Sequence, residues 1–220
     1  DRIREYAVQR FPDFKSLIDG GLVVQQSPLN RIVTEKDFLP AEMKRKDGTV
    51  HRIARTPTAA ELADMLFGWS VEQGVTSNSV IFVKDGVTVG IGTGEQDRVG
   101  VTEIAIDKAY KKCADSISFL KHGCLFFEVK LKEKAGSLPK GSADTAWAEA
   151  CARKGRLDGA TAVSDAFFPK RDGVDAILEH GVRSIVQPGG SLSDWEIIDV
   201  CNAATPAATM MFTGQRAFKH

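Results

Sequence analysis

The sequence lacks an excess of charge of either sign. Its 220 residues carry 29 Lys and Arg against 29 Asp and Glu, so the formal net charge is zero. Proteins that bind nucleic acid or anionic membranes usually present a broad basic surface, so this balance favours neither partner. A local basic pocket remains compatible with it. We therefore expect a small molecule or another protein as the partner.

Paired cysteines and long apolar runs are also missing. The cysteines form no C-x-x-C pair and have no histidine at metal-ligand spacing, so we interpret them as reduced core thiols and expect no metal. No apolar stretch reaches the ~20 residues of a membrane span, and no signal-peptide pattern opens the chain. These absences predict a cytoplasmic protein with no membrane contact. The four cysteines are Cys113, Cys124, Cys151 and Cys201.

What is present is the composition of an ordinary globular protein, with 43% hydrophobic and 26% charged residues. The chain is long enough to bury a full core in one or two domains. Residues 1–57 read as an irregular lead-in segment with a short helix at 2–9, a strand at 22–24 and a loop or edge hairpin within 42–55. Residues 58–220 read as the main domain, with an insertion at about 110–160.

Local patterns predict several elements of the main domain. Thr58 and Glu61 form a capping box before an apolar helical pattern, which indicates a helix over about 59–73. Asp85-Gly86 between two apolar runs indicates a β-hairpin with a type I′ turn. Further helices are expected at 101–109 and 143–153, and the apolar run 124–129 is expected to be a buried strand.

The last sixty residues alternate short apolar runs with helix-length segments, which predicts a βαβαβ unit. Parallel strands of such a unit send their following loops to one sheet edge, where open α/β sheets bind ligands. The strands are expected near residues 160, 184 and 210. The residues that this places at the edge are Asp165, Phe167, Phe168, Lys170, Arg171, Asp172, Gly189, Gly190, Ser191 and Arg216.

Each chemical signal at this edge has a second interpretation. Phe167 and Phe168 suit a flat heterocycle, yet both rings would also serve as core. The QPGGS loop before a helix suits an anion, yet such loops are more often simple turns. Arg98 and Arg216 could each hold a phosphate or carboxylate, although a lone arginine is usually a solvated surface group. Asn78 could orient a substrate amide, but Ser-Asn-Ser is also ordinary loop sequence.

Six ordered blocks together resemble the bifunctional family that joins AICAR transformylase to IMP cyclohydrolase. The blocks are DFKSLIDGGLVVQ, PTAAELADMLFGW, SNSVIFVKDGVTVGIGTGEQDR, SDAFFPKRDGVDA, VQPGGSLSD and FTGQRAFKH. They are similar to the C-terminal half of its transformylase domain. The resemblance implies a cytidine-deaminase-like, three-layer α/β/α fold with a mixed sheet, but without the zinc-binding signature of the deaminases.

The resemblance also implies a reaction and its residues. The family transfers a formyl group from the cosubstrate 10-formyltetrahydrofolate to the 5-amino group of AICAR. Asn78 and His220 match positions beside the reacting groups, and Arg98, Phe167 and Arg216 match residues that hold AICAR, with Arg216 at the phosphate. The positions that match folate contacts are Val99, Asp172, Ser191 and Leu192.

The chain departs from the family pattern in ways that leave two functions open. The Lys-His pair on which the family's chemistry depends lies in the other half of the transformylase domain, and Lys121-His122 falls outside the matched blocks. Acidic residues stand at positions 95 and 97, and Lys170 replaces an aromatic residue. We expect a transformylase that acts as a homodimer or with a chain that supplies the missing half. The alternative is a non-catalytic nucleotide- or folate-binding paralogue.

Overall fold

The computed structural model describes residues 12–26 and 30–218. Its strands are β1 (Pro12–Ser16), β2 (Leu22–Gln26), β3 (Leu39–Pro40), β4 (Glu42–Lys44), β5 (Val50–Arg52), β6 (Val80–Lys84), β7 (Val87–Gly92), β8 (Thr161–Ser164), β9 (Ser184–Gln187) and β10 (Thr209–Phe212). Its α-helices are α1 (Ala59–Glu72), α2 (Arg98–His122), α3 (Phe126–Lys134), α4 (Ser142–Ala152), α5 (Asp172–Glu179) and α6 (Asp194–Ala203). Single 3₁₀ turns lie at Glu35–Asp37 and Lys154–Arg156.

The main sheet has six strands in the order β3-β10-β9-β8-β6-β7. Strands β8, β9 and β10 are parallel to one another, with α5 and α6 as the crossovers, so the predicted βαβαβ unit is confirmed. Strand β6 pairs antiparallel with both β8 and β7, and β3 pairs antiparallel with β10. The sheet is therefore mixed, and a segment from the lead-in region forms one of its edges.

Helices cover both faces of this sheet because its central strands are apolar on both sides. On β6, Ile81 and Val83 face Met65 and Trp69 of α1. The alternate residues of the same strand belong to the opposite core cluster, which includes side chains of α2, α5 and α6. The predicted α/β class with helices on both sides of a mixed sheet is therefore confirmed. None of the helices in the described ranges is long and apolar enough to cross a bilayer.

The elements predicted from local chemistry follow the expected interactions. Glu61 N–H donates to Thr58 Oγ1 at 3.2 Å and Thr58 N–H donates to Glu61 Oε2 at 2.8 Å, which is the predicted capping box of α1. Asp85 and Gly86 both have positive φ, at 54° and 71°, as a type I′ turn requires. The predicted helix near 143–153 corresponds to α4.

The predicted strand at 124–129 is wrong, because most of this run belongs to helix α3. Leu125 occupies the N-cap position, and its backbone N–H donates to the Glu128 carboxylate at 2.9 Å. Only Val129 of α3 is buried, whereas Phe127 is 68% exposed. The run therefore forms a helix that buries one side, and it does not join the sheet.

The described part of the lead-in segment contains two small hairpins. Strands β4 and β5 pair within the predicted 42–55 hairpin, and β2 confirms the strand predicted at 22–24. Every residue of β1 and β2 is exposed, including Phe14 and Val24, which are paired neighbours on one side of the hairpin. The helix predicted at 2–9 lies outside the described residues.

Candidate functional site

The candidate site lies at the sheet edge where β8, β9 and β10 end. Because β6 runs antiparallel to β8, its first residue, Val80, pairs with Ser164 at the end of β8. Val80 also pairs with Gly92, the last residue of β7. The segments before β6 and after β7 therefore reach the same edge as the loops that follow the three parallel strands.

A cleft of about 360 Å³ at this edge brings four predicted site residues together. They come from segments near residues 78, 98, 167 and 216, and the topology described above explains why they meet. A larger hollow of about 840 Å³ lies between α5 and α6, but it contains none of the nine predicted site residues, so we assign no role to it. The lining of the smaller cleft is Asn78, Gln96, Asp97, Arg98, Ala166, Phe167, Pro169, Arg216 and Phe218.

Arg98 forms the floor of the cleft and is bound tightly to its own chain. Its side chain is only 6% exposed and forms an ion pair with the fully buried Asp165. The Nη1 atom that contacts Asp165 also donates to Ser79 O at 2.9 Å and to Ser164 Oγ at 3.1 Å. The guanidinium is therefore held in one orientation before any ligand arrives.

Asn78 lies above Arg98, and its side-chain amide is fixed at both ends. Its Nδ2 donates to the backbone carbonyl oxygens of Glu95 and Gln96, at 2.9 and 3.0 Å. Its Oδ1 accepts a hydrogen bond from Arg98 Nη2 at 3.0 Å. A carbonyl oxygen has two lone pairs, so Oδ1 retains one acceptor position for a ligand N–H.

Arg216 and Phe167 form the outer wall of the cleft. The guanidinium carbon of Arg216 lies 5.0 Å from the centroid of the Phe167 ring, which is a cation–π geometry. Arg216 is exposed and takes part in none of the ion pairs found within the described ranges. Phe168, in contrast, is fully buried in the core. Phe167 is therefore available to a ligand, whereas Phe168 is a core residue.

Comparison with known proteins identifies the family of this chain. The model of the family described as "AICARFT/IMPCHase bienzyme" matches residues 3–108. Bifunctional purine biosynthesis protein PurH of Cereibacter sphaeroides (strain ATCC 17029 / ATH 2.4.9) is 39% identical over 203 residues, which are 92% of this chain and 29% of that protein. This chain belongs to the AICARFT/IMPCHase family.

Other family members match over a similar range. The protein of the same name from Ruegeria sp. (strain TM1040) is 35% identical over 92% of this chain and 31% of its own length. That of Aquifex aeolicus (strain VF5) is 36% identical over 76% of this chain and 24% of its own length. The chain thus spans about three tenths, or less, of the curated relatives that it matches.

The acidic residues that depart from the family pattern have structural roles here. Asp97 is the N-cap of α2, and its carboxylate accepts a hydrogen bond from Gly100 N–H at 2.7 Å. Asp is a strong N-cap residue, so an acid suits position 97. Glu95 Oε1 accepts from Gln96 N–H at 2.8 Å. Lys170 is exposed and does not line the cleft.

The four residues that match folate contacts lie outside the lining of the cleft. Val99 is in the first turn of α2, and Asp172 begins α5, where its Oδ1 accepts from Gly173 N–H at 2.9 Å. Ser191 is buried in the loop after β9, whereas the neighbouring Leu192 is 85% exposed. Asp172 and the 191–192 pair therefore follow neighbouring parallel strands on the same sheet edge as the cleft.

In the QPGGS loop, two backbone N–H donors already have a partner within the chain. Asp194 Oδ2 accepts from Gly190 N–H at 2.7 Å and from Ser191 N–H at 3.0 Å. Burial raises the pKa of Asp194, although these two hydrogen bonds oppose the shift. Because a carboxylate of the chain fills this position, the loop does not offer the anion site that its glycines suggest.

The remaining sequence candidates lie away from the cleft. Lys121-His122 is at the C-terminal end of α2, about 35 Å along the helix from Arg98 at a rise of 1.5 Å per residue. His220 lies outside the described residues. Over residues 12–26 and 30–218 there is no group of three or more His, Cys, Asp or Glu side chains arranged to hold a metal ion.

Asp165 is the site residue whose role the sequence did not reveal. The βαβαβ pattern indicates its position at the strand end, but nothing in the pattern indicates its pairing with Arg98. The two residues are far apart in the sequence, and only the antiparallel pairing of β6 with β8 brings them together.

Proposed function

We propose that this chain provides the AICAR-binding part of a transformylase site, in which a formyl group passes from 10-formyltetrahydrofolate to the 5-amino group of AICAR. The observation that carries the proposal is the meeting of Asn78, Arg98, Phe167 and Arg216 in one cleft. Membership of a family whose members are named bifunctional purine biosynthesis proteins supports it. A cytidine-deaminase-like fold is part of the same proposal, and the mixed sheet with helices on both faces is compatible with it.

The chemistry of the cleft suits a planar nucleotide. Phe167 offers an aromatic face for an imidazole ring, and Arg216 is an exposed cation beside it that can bind a phosphate. Asn78 Oδ1 can accept a hydrogen bond from an amine or carboxamide N–H of AICAR. Arg98 is bound to Asp165 and Asn78, so we assign it to holding the amide of Asn78 and assign the phosphate to Arg216 alone.

We extend the proposal to the cosubstrate through a neighbouring subsite. Asp172, Ser191 and Leu192 follow neighbouring parallel strands on the sheet edge that also carries the cleft. A carboxylate such as that of Asp172 is a suitable acceptor for the N–H donors of a pterin-like ring. The proposed assembly is a homodimer, or a complex with a chain that carries the missing half of the transformylase domain.

Calorimetry with AICAR tests the assignment of the phosphate. Arg216→Ala should weaken binding roughly 30-fold, because a charge-assisted hydrogen bond in a cleft is worth about 2 kcal/mol. Arg45→Ala is the matched control, since Arg45 also stacks on an aromatic ring, that of Trp195 at 4.5 Å, but lies outside the cleft. Equal affinity of wild type and Arg216→Ala would contradict the assignment.

The cleft also supports the second candidate, a protein that binds the nucleotide without transferring a formyl group. Among the described lining residues, the ionisable side chains are Asp97, Arg98 and Arg216. Asp97 caps a helix, and an arginine does not act as a base at neutral pH. The described part of the cleft therefore favours binding and contains no general base. Turnover measured after the addition of a chain that carries the Lys-His half separates the two candidates.

A further inference from the structure

We infer that Asp165 is a positioning residue of the cleft, which fixes the Oδ1 end of the Asn78 amide by holding Arg98 between them. Asp165 does not line the cleft, so it would act on a ligand only through these two side chains. The inference about ligand binding rests on the proposed function. The inference about the orientation of Asn78 rests on the geometry of the protein alone.

The contacts form a continuous chain from the buried carboxylate to the cleft. Asp165 Oδ1 accepts a hydrogen bond from Arg98 Nη1, and Arg98 Nη2 donates to Asn78 Oδ1 at 3.0 Å. Both nitrogens belong to one rigid planar guanidinium, so the position of the first contact sets the direction of the second. The Asn78 amide consequently cannot rotate without breaking the contact with Arg98.

The second oxygen of Asp165 argues against a purely structural role. Asp165 is fully buried, and none of the described residues donates a hydrogen bond to its Oδ2. Buried carboxylates that only stabilise a fold usually have both oxygens satisfied, and a buried ion pair is weak evidence for stability in itself. The carboxylate charge of Asp165 instead serves Arg98, because a buried guanidinium needs an anionic partner.

The backbone of Asp165 has a separate role, which makes the inference selective. Its carbonyl oxygen accepts from Ala217 N–H at 2.9 Å, next to Arg216 at the outer wall. A substitution of the side chain leaves this bond in place. Loss of the carboxylate should therefore disturb the Asn78 end of the cleft and leave the Arg216 end unchanged.

Two variants of the full chain test the inference. Asp165→Asn removes the charge with little change in volume. Ser164→Ala is the matched control, because it removes a neutral contact to the same Arg98 nitrogen and keeps the carboxylate. Hydrogen exchange of the Asn78 side-chain NH₂ group, followed by NMR, reports the orientation of the amide without any ligand. We expect exchange at least roughly tenfold faster in Asp165→Asn and close to wild type in Ser164→Ala.

Ligand binding provides the selective readout. Asp165→Asn should weaken AICAR binding at least roughly tenfold, while the affinity for ribose 5-phosphate, which has no base to reach Asn78, should stay as in wild type. Unchanged Asn78 exchange in a folded Asp165→Asn variant would overturn the inference, as would equal losses for both ligands. If wild type binds neither ligand, the proposed function fails, and the exchange data still decide the role of Asp165.

A third variant covers the case in which Asp165→Asn does not fold. Asp165→Glu keeps the charge but moves the carboxylate by one methylene group. It should retain the fold while altering the Asn78 exchange rate, because Arg98 must shift with its partner. An Asn78 exchange rate equal to that of wild type in this variant would also overturn the inference.

Discussion

At the scale of single residues, the cysteine thiols differ most clearly in their access to solvent. Cys151 is exposed, whereas Cys113, Cys124 and Cys201 are buried. Burial raises the pKa of Cys201 to about 12 and also raises that of Cys113. The thiolate is the reactive form, and it must also be accessible. We therefore expect a disulfide reagent to modify Cys151 quickly in the native protein and the other three cysteines only after unfolding. Loss of the fast phase in Cys151→Ser is the control, and rapid native-state labelling of Cys201 would contradict the prediction.

His180 predicts how stability changes in mild acid. Its Nδ1 lies 2.9 Å from Tyr110 Oη, and burial lowers its pKa below 6.5, while Glu179 opposes the shift and Lys154 adds to it. In the pH range between the folded pKa and 6.5, the unfolded chain binds more protons than the native one. The free energy of unfolding should therefore decrease as the pH falls through this range.

Denaturant titrations at pH 7.5 and 5.0 measure this dependence. The difference between the two free energies of unfolding should be smaller in His180→Gln than in wild type, because the variant has no group to titrate at this position. The same difference in both proteins would show that other groups cause the acid sensitivity.

The site residues illustrate what sequence can and cannot predict at this scale. Resemblance and strand pattern together indicate Asn78, Phe167 and Arg216 at one edge, and the structure brings them into one cleft. The sequence does not reveal that Arg98 is buried against Asp165, because this contact depends on the pairing of strands that are distant in the chain. Nor does it reveal which of the two adjacent phenylalanines is core, since neighbouring residues in a loop follow no fixed period.

At the scale of elements, the contact of α2 with β7 leaves no space for a side chain on Gly90 or Gly92. A Cβ atom on Gly90 would lie 2.4 Å from the backbone oxygen of Ala105 in α2. Because both partners are backbone in regular elements, neither can move away easily. We expect Gly90→Ala to lower the free energy of unfolding by about 2–3 kcal/mol.

Gly74→Ala is the matched control for this prediction. A Cβ at Gly74 would lie 3.5 Å from Val71 O, which is an ordinary van der Waals distance, and the residue has no positive φ. Its free energy of unfolding should stay within about 0.5 kcal/mol of wild type. Equal stabilities of the two variants in urea titrations would show that α2 can move away from the sheet.

Elements with strong local signals were predictable, whereas the apolar run at 124–129 was not. The capping box of α1 and the Asp85-Gly86 turn specify their elements through contacts within a few residues. The run at 124–129 is too short for its apolar period to separate helix from strand, and the cap between Leu125 and Glu128 decides it. Helix α2 is longer than the predicted 101–109, and it ends where Gly123 adopts a left-handed conformation with φ 67°.

At the scale of the whole molecule, the parallel order of the last three strands was predictable because each crossover is one helix long. The neighbours of that unit were not. Strand β6 pairs with β8, and the short β3 pairs with β10, through contacts between distant parts of the chain. Such pairings depend on how the helices pack on both faces, which no local pattern contains.

The catalytic rate of the isolated chain is a prediction about the whole molecule. Under the proposed function the described cleft orients AICAR but contains no general base, and acid-base groups typically contribute 10²–10⁴ to a rate. We therefore expect the 220-residue chain to transfer formyl groups at least roughly a hundredfold more slowly than a complete transformylase of the family.

Addition of a chain that carries the family's Lys-His half should restore the rate. Full turnover by a homogeneous preparation of this chain would contradict the prediction, provided that His122→Ala and Glu95→Gln leave the turnover unchanged. Tight AICAR binding without turnover, even after the addition of that chain, would favour the non-catalytic paralogue.

The cleft takes its walls from segments near residues 78, 98, 166 and 216, and this spread has a consequence for synthesis on the ribosome. The outer wall comes from the segment that follows β10, the last strand of the sheet to emerge from the exit tunnel. Chains of this size gain their long-range contacts late, after loop closure has been paid for in entropy. A nascent chain that stops before Arg216 lacks the outer wall of the cleft, and under the proposed function it should bind the nucleotide more weakly than the finished chain. We therefore expect a nucleotide bound in this cleft to stabilise mainly those chains whose synthesis has passed this point.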